Sequence, residues 1–311
     1  MKNGSYIRAP SPQWMQGGQN AINMFNASGY SSNIYPNMDQ IYTLVKRLTL
    51  GPNERAEALH TLSVQREQIP NLAFLLWESP GTITALLTEI LSIYPHLTSV
   101  SASSNSAPAS LSSRLATRVC NVLALFQCVA GHEKTRIPFI KANIPMYLFP
   151  FLHTTNQSRE CECFKLTSLG IIGSLVKAED HEIIQYLLQN EFIPLCLRIL
   201  KFGQEMSRIV AAFIVQKILS DKEGRLYVVS SSERLDTVLK VLNVVICNMA
   251  SNYNQRLSKN IIASYDCLLQ EPAVREKVAT MGFDNLRKVQ IPPSYEDLYN
   301  FVQKLLKIER Q

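Results

Sequence analysis

Apolar residues in this chain fall into short runs with helical spacing, and between residues 118 and 219 one arrangement of them recurs. In the segments 139–148 and 188–197, an apolar helix end passes through a polar corner into Ile-Pro and a new apolar helix. A weaker copy occupies 68–75. Proline is favoured in the first turn of a helix, because its missing N–H has no partner there anyway. Each Ile-Pro therefore predicts a helix start.

The helices between these segments, over 119–130 and 166–176, are apolar on nearly every face. Such helices have to be covered on both sides. Helical repeats at a spacing of roughly 45–50 residues are typical of a stacked α-solenoid. The sequence thus predicts an all-α solenoid of about six repeats.

Two prolines give local predictions in the repeat region. A long helix over 81–94 is expected to end at Pro95, and its broad apolar stripe suggests a docking face. Pro150 is expected to kink a helix over 146–154.

A second phrase recurs after the long helices, in which Arg136, Arg225 and Arg275 each precede a short apolar group. Shortly after the second copy, Ser230 and Glu233 form a candidate capping box for a helix over 233–250.

The pattern divides the chain into three parts. Residues 1–38 lack periodicity and the apolar core of a signal peptide, which is typical of a disordered tail. Residues 39–290 hold the repeats, with a Ser-rich loop at 98–113. Residues 291–311 are predicted to form a C-terminal capping helix.

The composition, 46% hydrophobic and 18% charged, is that of a globular chain. No segment contains the ~18 uncharged apolar residues that a membrane span requires, so no membrane partner is expected. The net charge of +6 permits weak contact with nucleic acid without requiring it.

The seven cysteines favour structural thiols over a metal site. Cys161 and Cys163 are expected in a polar corner, where no second pair or nearby histidine completes a zinc site. Free thiols imply a reducing compartment. The other cysteines lie in apolar helical runs and are predicted to be buried: Cys120, Cys128, Cys196, Cys247 and Cys267.

We find no catalytic set in the sequence. The five histidines have no second ligand at helical spacing, and no phosphate loop or nucleophile elbow occurs. Gly170 and Gly173 lie inside an apolar helix, where close packing explains them better than a ligand loop. We expect no enzyme, no cofactor and no metal.

A solenoid without catalytic groups acts through its surface. Polar residues of the predicted inner helices are candidates for a groove, although solvated charges beside a core are the alternative; they are Arg118, Asn121, Lys165 and Lys217. The sequence leaves two interpretations of Val210 open: its side chain contacts a partner in the groove, or it packs in the core.

Four segments of the repeat region read NVLALFQCVA (121–130), YLFPFLHT (147–154), LTSLGIIG (166–173) and IPLCLR (193–198). They resemble the "required for cell differentiation" family, the armadillo-repeat subunit of the carbon catabolite repression–NOT (CCR–NOT) deadenylase complex. Segments this long match by chance far less often than short motifs do. The resemblance, from about residue 39 to about residue 278, implies an armadillo-like α-solenoid, a right-handed superhelix without catalytic activity.

The resemblance further implies an adaptor that docks on a large NOT-type scaffold subunit and recruits regulators to mRNA decay and translational repression. It implies a cytoplasmic location that includes mRNA-decay granules, and also the nucleus. The family's scaffold contact uses the helix after Trp77. The matching positions are Glu78, Pro80, Thr84 and Leu91, of which the first two replace the family's usual histidine and aromatic.

Two more protein sites follow from the resemblance. Short amphipathic helices of mRNA regulators bind the concave groove at Val210, with Phe213 and Ile214 beside it. Animal members also capture tryptophans of Gly-Trp-repeat silencing proteins, in pockets that match Arg234, Pro272 and Arg275. These pockets are expected to be degraded, because the surrounding residues differ from the family pattern at Ser232, Ala273 and Lys277.

Some members bind single-stranded nucleic acid along a basic groove, with which Arg118, Asn121, Lys165 and Lys217 are compatible, and a homodimer is also implied. An adaptor and a direct nucleic-acid-binding or transcription-regulatory armadillo protein therefore stay open, and the salt dependence of binding separates them. An importin-like carrier is weaker, because the only tryptophans are Trp14 and Trp77.

Overall fold

The structure is a computed structural model that describes residues 37–97, 113–281 and 284–308, and all regular secondary structure in these ranges is helical. In chain order, the helices of the first half are α1 (Met38–Arg47), α2 (Pro52–Gln65), α3 (Leu72–Glu78), α4 (Thr82–Leu91), α5 (Tyr94–Leu97), α6 (Ser113–Gly131), α7 (Arg136–Lys141) and α8 (Phe149–His153). A 3₁₀ turn, Ile144–Leu148, runs directly into α8.

The second half continues in the same way and completes the predicted all-α solenoid. Its helices are α9 (Arg159–Val176), α10 (His181–Gln189), α11 (Phe192–Phe202), α12 (Glu205–Ser220), α13 (Lys222–Val229), α14 (Ser232–Met249), α15 (Gln255–Leu268), α16 (Pro272–Thr280), α17 (Asp284–Lys288) and α18 (Glu296–Ile308).

The helices stack in rows, because each repeat places equivalent helices beside those of the next. The inner row runs α2, α6, α9, α12, α15 and α18, each packed on its neighbour. A second row runs α8, α11, α14 and α17, and a third runs α7, α10 and α13. An opening pair and five further sets of helices account for the described residues, which agrees with the prediction of about six repeats.

One hydrophobic core runs through the stack, and the inner row is its centre. In α9, fourteen of eighteen residues are buried, as the apolar sequence predicts. At Gly170 a β-carbon would lie 3.3 Å from Gln127 Nε2 of α6. This close approach of α6 and α9 supports the packing interpretation of that glycine.

The corner before each Ile-Pro helix has a left-handed backbone. Asn71, Asn143 and Glu191 have φ angles of 54°, 54° and 56°. Pro145 lies in the first turn of the 3₁₀ segment and Pro194 in the first turn of α11. Pro70 lies two residues before α3, so this copy marks the corner and not the helix itself.

The recurring arginine phrase has a structural explanation, because each arginine caps the end of the preceding inner helix. Arg136 Nε donates to His132 O at 3.3 Å, and Arg225 Nη1 donates to Ser220 O at 2.8 Å. Arg275 Nη2 donates to the carbonyl of Gln270 at 3.4 Å. A cation at a helix C-terminus pairs with carbonyls that have no partner within the helix.

Several local predictions are wrong. The helix predicted over 81–94 ends at Leu91, and Pro95 lies within the separate helix α5. Pro150 kinks no continuous helix, because it occupies the first turn of α8 after the 3₁₀ turn. Ser231, not Ser230, caps α14, and its Oγ accepts a hydrogen bond from Arg234 N.

Cys161 and Cys163 do not lie in a polar corner. They belong to the first turns of α9 and are 3% and 4% exposed. Of the other cysteines, Cys120 and Cys196 are buried and three are half-buried. The predicted tail 1–38 and loop 98–113 fall almost entirely outside the described residues.

Candidate protein-binding surfaces

The predicted scaffold-binding residues all lie on the surface of α3 and α4. Glu78 ends α3, Pro80 lies in the following turn, and Thr84 and Leu91 are exposed on α4. Gly81 turns the chain with φ +78°, a conformation that glycine adopts without strain. The four positions are therefore all exposed within one helix–turn–helix segment.

Thr84, Leu87 and Leu91 follow one another at i, i+3 and i+7, so they share one face of α4. Leu91 is 45% exposed and Leu87 is half-buried, whereas Leu86 and Ile90 of the same helix are buried. We call Thr84, Leu87 and Leu91 the α4 face. It combines an apolar contact with a polar edge, which suits a partner helix.

A buried ion cluster lies behind the α4 face. Glu89 of α4 is 3% exposed, and its carboxylate accepts from Arg55 Nη1 at 2.9 Å and Arg118 Nη2 at 2.5 Å. Because these arginines belong to α2 and α6, the cluster fixes α4 against two inner-row helices. Arg118 is thus part of the fold, and its predicted role in a nucleic-acid groove stays a prediction.

The lysines of the candidate nucleic-acid groove are also paired. Lys165 Nζ lies 2.5 Å from Glu162 Oε1, and Lys165 is only 6% exposed. Lys217 pairs with Glu179, and the hydrogen bond from this lysine lowers the pKa of the glutamate. Internal pairing leaves less positive charge for a phosphate backbone.

Asn121 lies on α6 at 2% exposure, and its Oδ1 accepts no hydrogen bond within the described part of the chain. An amide this deep is far from the surface that an extended nucleic acid would touch. Its predicted groove contact also stays a prediction.

The three residues of the predicted peptide groove differ in accessibility. Val210 is 1% exposed and Ile214 is fully buried, so both pack in the core. Phe213 is half-buried, with Lys217 Nζ 6.0 Å from its ring centroid. A partner helix at this position would therefore meet Phe213 first. The binding itself stays a prediction.

The residues that match tryptophan pockets have partners of their own. The guanidinium of Arg234 lies 3.9 Å from the centroid of the Tyr227 ring and donates to the Tyr227 carbonyl. Pro272 is the exposed first residue of α16, and Arg275 caps α15 as described. The Tyr227 ring is thus already in contact with a side chain of the same protein. The degraded pocket stays a prediction.

Several exposed apolar side chains are not recognisable as such from the sequence. Phe202 at the end of α11 is 70% exposed, and Lys201 Nζ lies 4.9 Å from its ring centroid. Leu226 and Val244 are 45% and 38% exposed. These residues continue apolar runs in the sequence, so only the packing of the helices shows that they point outwards.

The described ranges contain no group of three or more His, Cys, Asp or Glu residues placed to hold a metal ion. Within the same ranges, none of the helices has the length and apolar character of a membrane span.

The repeated three-helix sets and their inner row define an armadillo-type α-solenoid. A designed armadillo repeat protein in complex with the peptide (KR)4 superposes with a TM-score of 0.56 at 14% identity, covering 86% of this chain and 99% of that one. A crystal structure of an engineered protein gives a TM-score of 0.54 at 13% identity, with 87% and 96% covered. Likeness at such low identity shows the fold alone.

The chain belongs to the Cell differentiation family, Rcd1-like, and the model of this family matches residues 44–308. It is 42% identical over 260 residues to the cell differentiation protein rcd1 of Schizosaccharomyces pombe, covering 84% of this chain and 88% of that protein. It is 44% identical over 226 residues to protein CAF40 of Saccharomyces cerevisiae, covering 72% of this chain and 58% of that protein.

Proposed function

We propose that the chain is a non-catalytic adaptor subunit of a CCR–NOT mRNA deadenylation complex. It would join regulators to the deadenylase and so promote mRNA decay and translational repression. The observation that supports this most is the α4 face, which presents the exposed Leu91 on a helix fixed from behind by Glu89, Arg55 and Arg118. Membership of the Rcd1-like family supports the choice of complex.

The α4 face suits a NOT-type scaffold because its backbone is already ordered before binding. A preformed surface loses less conformational freedom on association than a loop does. Burial of Leu91 and the exposed part of Leu87 would supply the apolar contribution. Thr84 and Glu78 form a polar edge, which fixes the register of a partner more than its affinity.

Co-purification with a NOT-type scaffold subunit tests this proposal. Leu91→Asp places a charge in the apolar contact and should abolish co-purification at physiological salt. Leu226→Asp is the matched control, since Leu226 has the same 45% exposure but lies on α13. Equal recovery of the scaffold with both variants would contradict the proposal.

Regulators are proposed to bind near Phe213 on the inner row, as short amphipathic helices. Phe213→Glu should weaken their capture while scaffold binding persists, because α12 and α4 belong to different repeats. Loss of both partners together would point to misfolding instead, which circular dichroism detects.

Direct binding of single-stranded nucleic acid is the second candidate. The net charge of +6 favours it, although Arg118, Lys165 and Lys217 are paired with carboxylates. Contact with phosphates would make the affinity fall steeply between low and physiological salt. Scaffold binding that persists over the same salt range supports the adaptor.

The proposed location is the cytoplasm, including mRNA-decay granules, with the nucleus as a further site. A fluorescent fusion expressed at the native level tests this location. Sedimentation of the purified chain tests the proposed homodimer.

A further inference from the structure

Two cysteines from neighbouring repeats touch each other inside the stack. Cys120 of α6 and Cys163 of α9 have their sulfur atoms 3.1 Å apart, and the residues are 2% and 4% exposed. They are separated by 43 positions in the sequence, so only the packing of the inner row brings them together. The close approach of the same two helices at Gly170 and Gln127 fixes their spacing.

We propose that Cys120 and Cys163 form a reversible, peroxide-sensitive disulfide that joins the second and third repeats of the inner row. A disulfide bond is about 2.05 Å long and needs side chains that approach each other from adjacent backbones. The two sulfur atoms already meet across neighbouring helices, and a further approach of about 1 Å would bring them to bonding distance. The inference is independent of the proposed adaptor function.

The two thiols differ in their readiness to react. A hydrogen bond from Cys120 lowers the pKa of the Cys163 thiol, although burial opposes this shift. The same hydrogen bond and burial raise the pKa of Cys120. Cys163 therefore ionises more readily than Cys120, and the thiolate is the nucleophile in thiol chemistry.

The reaction balances with hydrogen peroxide as the oxidant. The Cys163 thiolate attacks one peroxide oxygen, the O–O bond breaks, and Cys163 becomes a sulfenic acid as hydroxide leaves. The Cys120 sulfur then attacks the sulfenic sulfur, its proton is released, and a second hydroxide leaves. Overall, two thiols and one peroxide give one disulfide and two waters.

The other cysteines make poorer partners. Cys161 precedes Cys163 by two positions in the same helix, and side chains with that spacing do not face each other. Burial raises the pKa of the Cys196 thiol to about 12, which keeps it protonated and unreactive. In a reducing compartment the bond would be transient, as disulfides of redox-sensing proteins are.

Peroxide treatment of the folded full-length chain tests the proposal. After oxidation the protein is denatured, its free thiols are alkylated, and they are counted by mass spectrometry. The count should fall from seven to five, and dithiothreitol should restore it. A linked peptide pair should contain Cys120 and the segment with Cys161 and Cys163.

Two variants identify the bond. Cys161→Ser is the matched control, because Cys161 lies in the same helix at 3% exposure, and this variant should still lose two thiols. Cys163→Ser should keep all its remaining thiols. In the wild type and in Cys161→Ser, oxidation should also raise the thermal midpoint reversibly, with no rise in Cys163→Ser.

Any of three results would overturn the proposal. One is that seven thiols survive peroxide in the folded wild type, and another is that Cys163→Ser loses as many thiols as the wild type. Circular dichroism of the reduced variants shows that each is folded. Conversion of Cys163 to an irreversible sulfinic acid, with Cys120 still free, would also contradict a disulfide.

Discussion

At the scale of single residues, the fold pairs the three basic side chains that were predicted to line a nucleic-acid groove, Arg118, Lys165 and Lys217, with carboxylates. Arg118 and Arg55 meet at the buried Glu89, and Lys165 lies against Glu162. The spacing of charges in the sequence cannot reveal the pair of Glu89 and Arg118, because the two residues belong to different helices. The pair of Lys165 and Glu162, by contrast, has the i, i+3 spacing of neighbours in one helix. Burial of Val210 is equally invisible in a helix that is apolar on several sides.

Glu89→Gln should lower the free energy of unfolding by about 2–3 kcal/mol, because two arginines lose their shared carboxylate in a largely buried place. Glu57→Gln is the control: Glu57 pairs with Arg47 but is 68% exposed, so its change should stay within about 0.5 kcal/mol. Urea denaturation of both variants measures the difference. Equal effects would show that the buried cluster contributes little.

Val210→Glu should destabilise the protein by about 3 kcal/mol or more, because it buries a carboxylate in the apolar core. Val244→Glu, at 38% exposure on α14, should change stability by less than about 0.5 kcal/mol. Thermal unfolding compares the two. A Val210→Glu protein with wild-type stability would mean that this side chain reaches the surface, as the groove prediction requires.

At the scale of elements, the sequence predicts the helices well where they are long and apolar. The apolar run 119–130 lies within α6, and the apolar run 166–176 lies within α9. Boundaries fail where a short-range signal has two interpretations. Pro95 was expected to end the helix over 81–94, but that helix ends at Leu91 and Pro95 lies in the first turn of the next helix, α5. The recurring arginines were visible as a pattern, but their role depends on carbonyls at the ends of other helices.

Arg225→Ala should destabilise the stack by about 2 kcal/mol, because the side chain caps α12 and pairs with Glu271. Its Nη1 donates to Leu219 O at 3.1 Å, and its Nε lies 3.2 Å from Glu271 Oε1. Lys240→Ala on the exposed side of α14 should have little effect. Chemical denaturation compares the variants, and equal midpoints would contradict the capping role.

His181 links α10 to α13 and should make this contact depend on pH. Its ring nitrogens lie 3.5 Å from Asp221 Oδ2 and 3.0 Å from Glu223 Oε1. Desolvation lowers the pKa of His181, but the hydrogen bond with Asp221 and the charge of Glu223 outweigh it, so the pKa is raised. A raised folded-state pKa stabilises the protein below the unfolded pKa of about 6.5, and this contribution is lost as the pH rises through the folded value.

Replacement of the histidine isolates this contribution. The wild type minus His181→Gln difference in thermal midpoint should be larger at pH 5.5 than at pH 8. A difference that does not change with pH, or that grows at alkaline pH, would contradict the assignment. Hydrogen exchange of the α13 amides provides a local readout of the same contact.

At the scale of the whole molecule, the chain is an all-α solenoid of the Rcd1-like family. Neighbouring helices cover most of the inner row, whose residues form the centre of the core. Periodicity and the three recurring segments, 68–75, 139–148 and 188–197, were enough to predict that architecture, because they reflect local helix formation and burial. The sites were harder to predict, since exposure depends on how neighbouring repeats cover each helix. Leu91 stayed accessible, whereas Val210 and Ile214 did not.

The most direct test of the adaptor proposal measures poly(A) shortening on a reporter mRNA to which the chain is tethered. The tethered wild type and the tethered Leu226→Asp variant should both accelerate shortening. Leu91→Asp, tethered and expressed at the same level, should leave the poly(A) tail as stable as it is when no protein is tethered. If Leu91→Asp shortens the tail as fast as the wild type, the α4 face does not connect this protein to a deadenylase.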